Sequence, residues 1–368
     1  MSKTVFVSGC YEILHAGHLE FFRQARALGD YLFVCAAGDR TIWRLKRRAP
    51  ALPENDRLEL LWALRSVDKV FMDDSQCSDP IWNFVSIAEN LKLDIFATTA
   101  DDLHADEKRA WCQKRSIEFV VLPKTRTPSQ TSTTSIRSKI LAPAEVPLRL
   151  DFAGGWLDVP GLTDVGGFVV NLAISPRVNL FESWPVRLCG GLGGSAADAI
   201  LRGRDPFASE LETGAGWQDP AVMLETGLCV WAGCEKLPRL VARPVSDWLA
   251  GKLAIRWTGA GHSTPDLVSR ARNYELIRDA SAVAVSAVVS RDFDQLAKAI
   301  QLSHHAQIGE GMTELKCGSA SATKYAGSGW GGYAIYLFRS RESRDSYVKE
   351  TPEALAVEPF DRWENAGR

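Results

Sequence analysis

The fold of the first part of the chain is decided by the stretch Gly9-Cys10-Tyr11-Glu12-Ile13-Leu14-His15-Ala16-Gly17-His18. It follows the apolar run Val5-Phe6-Val7, which is typical of a buried strand, and it leads into a segment with helical character. Imidazoles and amides at the opening of a helix donate hydrogen bonds to phosphate oxygens, and Gly17 allows a ligand to approach closely. In the alternative interpretation, His15 and His18 only cap and pack a turn. The flanking strand, glycine and helix favour a nucleotide site.

The segment resembles the HxGH signature of the cytidylyltransferase-like nucleotidyltransferases, and the resemblance extends over most of residues 1–140. It is most similar to the branch that adenylylates heptose 1-phosphate, through residues 25–34, Asp39, residues 44–46, Arg57 and residues 63–68. The resemblance implies an α/β Rossmann-like domain with a parallel sheet. In such enzymes a substrate phosphate attacks the α-phosphate of a nucleoside triphosphate, and pyrophosphate leaves. The implied catalytic residues are His15, His18 and Lys46.

A late element, residues 126–134, resembles the family's RTxGISTT motif, whose hydroxyls and helix N-terminal amides bind the leaving phosphates. It lacks the family's glycine and carries one extra residue, and Glu12 stands where the family commonly has aspartate. The basic loop around Lys46 leaves other phosphate ligands open, namely Arg44, Arg47 and Arg48. The resemblance implies that nucleotide is bound by Gly9, Cys10, Tyr11, Gly17, Arg126, Ser132, Thr133 and Thr134.

Length and composition restrict the possible partners. A chain of 368 residues predicts two domains, and a formal net charge of −2 gives no general attraction to nucleic acid or to an anionic membrane. The eight cysteines include no CxxC pair and are expected to be buried thiols in a reducing compartment. Residues 1–4 lead into the first strand without an apolar signal region. We therefore expect a cytoplasmic protein with small-molecule ligands, no nucleic-acid or membrane partner, and a possible homodimer.

Domain boundaries follow from the alternation of apolar runs and helical segments. The α/β pattern continues to residues 119–122, and residues 142–147 contain two prolines that interrupt any helix. The sequence therefore predicts a first domain over residues 1–140, a linker over 141–147 and a second domain over 148–368.

Three glycine-rich features mark the second domain. Residues 147–160 predict a strand that enters a glycine turn with Asp158 just beyond it. Residues 190–199 place consecutive glycines at a helix start, where free amides can bind a phosphate chain and Ser195 can add a hydroxyl ligand for Mg²⁺. A third glycine cluster, residues 327–332, precedes an apolar strand. A plain flexible turn is the alternative for any one of these loops.

In this order the three features resemble the motifs of the GHMP small-molecule kinases, most closely the branch with the heptose 7-phosphate 1-kinases. The resemblance implies an α+β domain in which Asp219, within Gly216-Trp217-Gln218-Asp219, is the base or orienting carboxylate. A helix N-cap is the other interpretation of Asp219. The implied ATP-phosphate ligands are Gly191, Leu192, Gly193, Gly194, Ser195 and Ala196, and the implied sugar-binding residues are Asp158, Gly155, Trp156 and Gly329.

The second domain also departs from the family. The stretch over residues 174–189 is shorter than the family's, which removes strands and base contacts. The acidic Mg²⁺ ligand is left open between Glu210 and Glu212, and core packing is the alternative for Trp156. A trimmed kinase domain that only binds sugar or makes a dimer contact is therefore a second possibility.

The two domains together predict a bifunctional enzyme that makes a nucleotide-activated sugar. One half would phosphorylate the anomeric hydroxyl of a heptose-like sugar or sugar phosphate with ATP and Mg²⁺. The other would transfer a nucleotidyl group from ATP, or from CTP, onto the 1-phosphate. The alternatives are a nucleotidyltransferase with a degenerate second domain and a non-enzymatic nucleotide sensor.

Overall fold

The computed structural model of this chain describes residues 2–73, 77–123, 132–159, 161, 165–181, 187, 190–261, 267–268 and 270–362. Internal contacts divide the chain into two units, Met1–Arg137 and Ser138–Arg368. Each unit is built around one sheet, and the two sheets are of different kinds.

The first unit has a five-stranded, entirely parallel sheet in the order β3-β2-β1-β4-β5. Its strands are β1 (Thr4–Gly9), β2 (Tyr31–Ala36), β3 (Lys69–Met72), β4 (Ile95–Thr99) and β5 (Glu118–Leu122). Its helices are α1 (Ala16–Arg26), α2 (Asp39–Lys46), α3 (Glu54–Trp62), α4 (Val85–Glu89) and α5 (Ala105–Gln113), with α6 (Thr133–Leu141) crossing the boundary between the units. A 3₁₀ turn lies at Pro80–Trp82. This is the Rossmann-like α/β fold that the sequence predicts.

Strand β1 explains why the sheet is covered on both faces. Its side chains alternate, so that Val5 and Val7 pack with Phe22 of α1 on one face while Phe6 packs against Phe84 and Phe96 on the other. Strand order reverses direction between β1 and β4, and ligands of open parallel sheets bind outside the strand ends at such a point. The turn after β1 therefore lies where a nucleotide site is expected.

The second unit has an eight-stranded sheet in the order β11-β12-β10-β13-β7-β8-β9, with β6 pairing β7, and every pairing is antiparallel. Its strands are β6 (Val146–Ala153), β7 (Phe168–Val178), β8 (Leu228–Ala232), β9 (Leu240–Ala242), β10 (Leu253–Trp257), β11 (Ala322–Tyr325), β12 (Tyr333–Leu337) and β13 (Ala354–Pro359). Its helices are α7 (Gly194–Leu201), α8 (Pro206–Glu212), α9 (Gln218–Glu225), α10 (Tyr274–Ser290), α11 (Phe293–Gly309) and α12 (Arg341–Glu350), and a 3₁₀ turn lies at Asp247–Leu249. The unit is α+β, as expected.

The long helices α10 and α11 pack against this sheet through small side chains. Ala280, Ala284 and Ala287 of α10 are fully buried, and Ala299 of α11 is too. Strand β6 lies below them and is buried at every residue. Charged residues of β6 are therefore forced into the interior, which matters for the site described below.

The region between the units is shorter than the linker predicted over residues 141–147. Helix α6 continues to Leu141 and β6 begins at Val146, so Pro147 lies inside a strand. The reason is that, among the described strands, β6 pairs with β7 alone and its register shifts between Val146 and Leu148, so the missing N–H of proline costs no regular ladder bond. The contact boundary lies between Arg137 and Ser138. No helix in the described ranges is long and apolar enough to span a bilayer.

Candidate functional site

In the first unit, the turn between β1 and α1 brings the two signature histidines together. His15 is the N-cap of α1, and the imidazole rings of His15 and His18 stack with their centroids 3.9 Å apart. Tyr11 is buried, and its ring packs edge-on against the His18 imidazole with the ring centroids 5.5 Å apart. This contact restricts the orientation of the His18 ring. Both imidazoles thus lie at the first turn of an 11-residue helix, together with Gly17. A helix N-terminus with two adjacent ring donors is suited to bind phosphate.

The protonation state of His18 follows from its surroundings. Burial lowers the pKa of His18 to about 4, and electrostatic interactions with His15 and Lys46 act in the same direction, against a hydrogen bond to the backbone of Ile13. His18 is therefore a neutral imidazole at neutral pH and offers one N–H donor. The charge of Lys46 therefore acts at the histidine pair.

A buried carboxylate organises the basic loop. Glu12 is 1% exposed, and it accepts hydrogen bonds from Lys46 Nζ at 3.2 Å, from both terminal nitrogens of Arg48 and from the backbone N–H of Ala51 at 2.8 Å. These bonds, with those from Arg48 the largest cause, lower the pKa of Glu12 to about 2. Lys46 and Arg48 are therefore the loop cations at the signature turn.

The other two basic residues of the loop lie elsewhere. Arg44 donates to the carbonyls of Cys77 and Ser78, and the Arg47 guanidinium lies 5.7 Å from the centre of the Trp43 ring. Neither contact involves the histidines.

Arg57 is a positioning residue that was noted in the sequence only as part of the resemblance. It is 1% exposed and donates to the carbonyls of Cys10 at 2.8 Å and Ala37 at 2.6 Å, and to Asp39 at 2.8 Å. It therefore ties the loop after β1 to the loop after β2. Its sequence signal was its spacing from Leu61, because these two residues form the buried face of α3.

Residues 132–134, the described end of the late Ser/Thr element, include a contact with the same turn. The Thr133 hydroxyl lies 3.5 Å from the carbonyl of Ile13 in the signature turn, and Thr134 follows in the first turn of α6. Ser132 exchanges hydrogen bonds of 3.1 Å with Ser135, so its hydroxyl caps α6. Arg126 lies outside the described residues.

The residues before the histidines contribute in different ways. A Cβ on Gly9 would lie 2.9 Å from the Tyr11 ring, so this position requires the smallest side chain. Because the Tyr11 side chain is in the core, only its backbone is available to a nucleotide. Burial raises the pKa of the Cys10 thiol, which is therefore neutral at neutral pH.

In the second unit, Arg149 connects the elements of a second site. This arginine of β6 is 3% exposed and donates from Nε to Asp219 at 2.6 Å, and from Nη1 to Asp151 at 2.9 Å and to the Gly191 carbonyl at 2.8 Å. One side chain thus holds the candidate base and the glycine loop at the start of α7. Asp151 is in turn ion-paired with the buried Lys324.

The glycines of the three motifs are required by close backbone approaches. A Cβ on Gly327 would lie 2.9 Å from the Gly191 carbonyl oxygen, and one on Gly332 would lie 2.6 Å from that of Gly190. Gly193 has φ +80° at the N-cap of α7, and a Cβ there would lie 3.2 Å from Asp219 Oδ2. The third cluster therefore packs on the phosphate loop, and Asp219 abuts that loop.

The acidic groups of this site share one cleft of about 480 Å³, part of it open to solvent. Asp158 accepts hydrogen bonds from the backbone N–H of Gln218 at 2.9 Å and from its side chain at 3.0 Å. Burial raises the pKa of Asp158 to about 7. Burial, followed by the charge of Asp219, also raises the pKa of Glu210. The cleft is therefore rich in carboxyls whose charge is sensitive to a bound cation.

The residues present fit a divalent cation. Glu210 is 5% exposed and faces the Ser195 hydroxyl, and its Oε1 is buried without a hydrogen-bond partner in the described part of the chain. Glu212, the other candidate in the sequence, is exposed. Carboxylate and hydroxyl oxygens suit Mg²⁺, which binds through one or two carboxylates and the substrate phosphates. Within the described ranges, no group of three or more His, Cys, Asp or Glu residues could hold a metal by itself.

The predicted sugar-binding residues do not all lie in the same space. Trp156 lines the cleft with Asp158, is 8% exposed and has φ +78°, while the Arg272 guanidinium lies 3.5 Å from its ring centre. Gly155 lines a neighbouring cavity. Gly329 is not among the residues that line either space, and a Cβ at this position would lie 2.4 Å from the sulfur of Met312. Its role here is to permit that contact.

Three further residues of this site were not singled out in the sequence. Arg149 and Asp151 lie in the otherwise apolar strand β6, and Lys324 lies in the four-residue strand β11, all of whose residues are buried. A charged side chain in a fully buried strand is the signal that identifies them, because such a group needs a buried partner.

Comparison with known proteins places the first unit in a family. A family model described as Cytidylyltransferase-like matches residues 6–139. The chain is 31% identical over 140 residues to the FAD synthase of Thermococcus sibiricus, which covers 37% of this chain and 91% of that protein. It is 36% identical over 105 residues to the bifunctional protein HldE of Helicobacter pylori, which covers 28% of this chain and 21% of that protein. Its matches to four other FAD synthases from Thermococcus and Pyrococcus species span 45% to 66% of their length.

Among solved structures, 59% of this chain aligns with 95% of a D-glycero-D-manno-heptose 1-phosphate kinase from Bacteriodes thetaiotaomicron, at 15% identity and a TM-score of 0.43. The assignment of the chain rests on the sequence matches to the first unit. Through residues 6–139, this chain belongs to the cytidylyltransferase-like family.

Proposed function

We propose that the chain is a bifunctional transferase that makes a nucleotide-activated sugar. The second unit phosphorylates the anomeric hydroxyl of a sugar, and the first unit transfers a nucleotidyl group onto the resulting 1-phosphate. Family membership of residues 6–139 and similarity to the bifunctional protein HldE support the nucleotidyl-transfer step. A sugar 1-phosphate is the product of one step and the acceptor of the other, which is the chemical reason to join them.

In the first unit, an oxygen of the acceptor phosphate attacks the α-phosphorus of the triphosphate. The new P–O bond forms as the bridging bond to the β-phosphate breaks, and pyrophosphate leaves. His15 and His18 donate to the phosphate oxygens on which charge develops, with His18 as a neutral donor. Lys46 and Arg48, both ion-paired with Glu12 of the turn, add positive charge.

In the second unit, Asp219 accepts the proton of the sugar hydroxyl as its oxygen attacks the γ-phosphorus of ATP. The bond between the γ-phosphorus and the β-phosphate oxygen breaks, and ADP leaves with the amides of the loop at residues 191–194 around its phosphates. Arg149 orients Asp219 through the 2.6 Å hydrogen bond and holds the loop through Gly191. Mg²⁺ neutralises charge on the phosphates when it is bound, and Ser195 and Glu210 are the residues that would hold it.

The observation that carries the kinase half is the triple contact of Arg149 with Asp219, Asp151 and Gly191. A buried arginine is costly unless its hydrogen bonds are satisfied. Here the arginine holds the Asp219 carboxylate next to the glycine loop at Gly191. Phosphoryl transfer requires a base and a phosphate-binding loop to be positioned together in this way.

The proposal is tested by ³¹P NMR on purified chain with Mg²⁺, ATP or CTP, and a panel of sugars and sugar phosphates. Asp219→Ala should abolish formation of the anomeric phosphate and leave pyrophosphate release from added sugar 1-phosphate intact, whereas His15→Ala should do the reverse. Matched controls are Asp279→Asn and His104→Ala, whose side chains are 62% and 40% exposed. If neither reaction occurred with any acceptor, the bifunctional assignment would be wrong.

The FAD synthase relatives favour a second candidate for the first unit, adenylyl transfer onto FMN. Both candidates use a phosphate monoester as the acceptor, so the same residues would act in each. FMN is therefore included in the panel, and pyrophosphate release with FMN but with no sugar 1-phosphate would select this candidate. In that case the second unit would be an accessory domain.

A further inference from the structure

The third glycine cluster, residues 327–332, borders two separate spaces in the second unit. Gly327 and Ser328 line the Asp219 cleft, whereas Trp330 and Gly331 line another cavity, and no described residue lines both spaces. The other cavity has a volume of about 940 Å³, including the part open to solvent, which is about twice the volume of the cleft. We call it the Trp330 cavity, and no step of the proposed reactions uses it.

Four aromatic side chains line the Trp330 cavity. They are Trp257 of β10, Tyr325 of β11, Tyr336 of β12 and Trp330 itself. Because β12 pairs with both β10 and β11, three of the four rings are attached to one sheet. The Tyr325 hydroxyl also donates a hydrogen bond of 3.0 Å to the carbonyl of Thr313, which restricts its ring. Aromatic rings held in this way favour a flat ligand, because ring faces stack on one another.

The indole N–H groups of Trp257 and Trp330 lack acceptors. Both N–H groups are buried, and neither donates a hydrogen bond to a described residue. Trp257 is 6% exposed, so water contributes little to it. A buried tryptophan N–H usually has a hydrogen-bond partner, and a buried donor without one is unfavourable. A ligand that brings acceptor atoms into the cavity would provide these partners.

Two charged side chains line the cavity, Arg256 and Glu314, and both are exposed. Arg256 acts on the Tyr347 hydroxyl and Glu314 acts on the His304 imidazole. Neither of the two forms an ion pair with a residue in the described ranges. The cavity therefore offers one cation to an anionic group and one carboxylate to a hydrogen-bond donor.

Two more arginines lie against the tryptophan rings of the cavity. The Arg270 guanidinium is 3.9 Å from the centre of the Trp330 ring, and the Arg187 guanidinium is 4.5 Å from the centre of the Trp257 ring. Arg187 is paired with Glu353 at 3.1 Å, whereas the exposed Arg270 forms no ion pair with a described residue. The charge around the cavity therefore favours an anionic ligand over a cationic one.

A nucleotide fits these groups better than a sugar does. A sugar presents several hydroxyls that each need a partner, yet the described lining has a single carboxylate and no amide side chain. The Thr258 hydroxyl in this lining already donates to the carbonyl of Gly332 at 2.7 Å. A nucleotide presents a flat base, acceptor atoms on that base, and a phosphate. These match the aromatic rings, the indole N–H groups and the arginine in turn.

We propose that the Trp330 cavity binds a nucleotide whose base carries an amino group. The site is distinct from the phosphate loop at residues 191–196 and from the signature turn of the first unit. The base stacks on the aromatic walls and accepts hydrogen bonds from the indole N–H groups, Glu314 accepts one from the amino group, and Arg256 pairs with the phosphate. The inference does not rest on the proposed reactions, because none of the residues assigned to them lines this cavity.

The test follows the two tryptophans directly. The full chain is prepared with 5-fluorotryptophan, and the ¹⁹F NMR signals of Trp257 and Trp330 are assigned from the Trp257→Phe and Trp330→Phe variants. Adenosine monophosphate, inosine monophosphate, adenosine and D-mannose are then titrated in turn. We expect adenosine monophosphate to shift both signals with one Kd, at least about fivefold below the Kd of inosine monophosphate and of adenosine. The signal of Trp248, whose N–H is bonded to the Val245 carbonyl, should not shift.

Two results of this titration would overturn the inference. One is that adenosine monophosphate shifts neither signal. The other is that D-mannose alone shifts them, which would make the cavity a sugar site.

Variants at exposed positions show whether the shifts arise from this cavity. Arg256→Gln should raise the Kd of adenosine monophosphate at least about fivefold and leave that of adenosine within about twofold, because the phosphate alone loses a partner. Glu314→Gln should remove the preference for adenosine monophosphate over inosine monophosphate, because a glutamine amide can donate to an oxo group as well as accept from an amino group. Arg239→Gln and Glu350→Gln, which change exposed residues outside the cavity, are the matched controls. Unchanged affinities in both Arg256→Gln and Glu314→Gln would mean that the nucleotide binds elsewhere, and the inference would be wrong.

Discussion

Replacing Arg149 by methionine removes the contact on which the site of the second unit depends. Methionine fills much of the same volume but leaves Asp219 and Asp151 without their shared cation, in a place where Arg149 is 3% exposed. Breaking a buried ion pair by removing one partner costs about 3–5 kcal/mol. Because Asp219 also loses its orientation and the loop loses the bond to the Gly191 carbonyl, we expect the rate of anomeric phosphorylation to fall at least about 100-fold.

Stability and activity can be separated by three variants. Eight of the twelve tryptophans lie in the second unit, so urea unfolding followed by tryptophan fluorescence reports mainly on it. Arg149→Lys restores the charge but cannot bond Asp219 and Gly191 at once, so it should recover part of the stability and little of the rate. A cycle of Arg149→Met with Asp219→Asn should give a coupling free energy of at least about 1.5 kcal/mol. An Arg149→Met chain with unchanged stability and rate would refute the reasoning.

Three further predictions concern both units. His18→Asn should lower the rate of nucleotidyl transfer at least about 100-fold, because the His18 donor acts on charge that develops in the transition state. The affinity for the triphosphate should change little. Stopped-flow kinetics measures the rate, and a binding assay measures the affinity. Glu12→Gln should release Lys46 and weaken triphosphate binding at least tenfold, whereas Glu59→Gln, at an exposed site, should not. Burial raises the pKa of Asp158 to about 7 in the folded chain, whereas the pKa in the unfolded chain is near 3.8. The contribution of Asp158 to the free energy of unfolding is therefore greatest below pH 3.8. It decreases by up to about 4 kcal/mol as the pH rises toward 7. The difference in unfolding free energy between wild type and Asp158→Asn should follow that window, and a difference independent of pH would contradict it.

The first site could be predicted from sequence because it is local. Ten consecutive residues span the end of β1, the turn and the start of α1, and the spacing of His15 and His18 brings them together once α1 begins. Lys46 joins them because α2 ends there, whereas Arg44 and Arg47, equally basic, are directed elsewhere by carbonyls and by the Trp43 ring. The charge pattern of the sequence cannot show which of these basic residues lies at the site, since each position depends on contacts made only after folding.

The second site was harder to predict because its residues come from distant parts of the chain. Asp151 and Lys324 are 173 residues apart, and the sequence around either residue does not predict their ion pair. Glu210 and Glu212 look alike in sequence, and only the rotation of α8 buries the first and exposes the second. Gly329 has the composition of a ligand loop, yet its position is explained by Met312.

The position of the prolines illustrates the same limit at the boundary between units. Pro143 and Pro147 both predict an interrupted, linker-like segment, but Pro147 lies in β6. Proline disfavours a helix whatever its surroundings, whereas its tolerance in a strand depends on whether its missing N–H faces a partner. The pairing of β6 with β7 alone resolves the ambiguity.

The most direct test of the bifunctional assignment is a time course of ³¹P NMR spectra on the full chain with Mg²⁺ and ATP, run with each sugar and sugar phosphate of the panel in turn. We expect that, with at least one acceptor, an anomeric phosphate signal rises first and then falls as pyrophosphate and a nucleotide-linked diphosphate appear. Pyrophosphate that appears only when sugar 1-phosphate or FMN is supplied ready-made, with no anomeric phosphate from ATP, would contradict it.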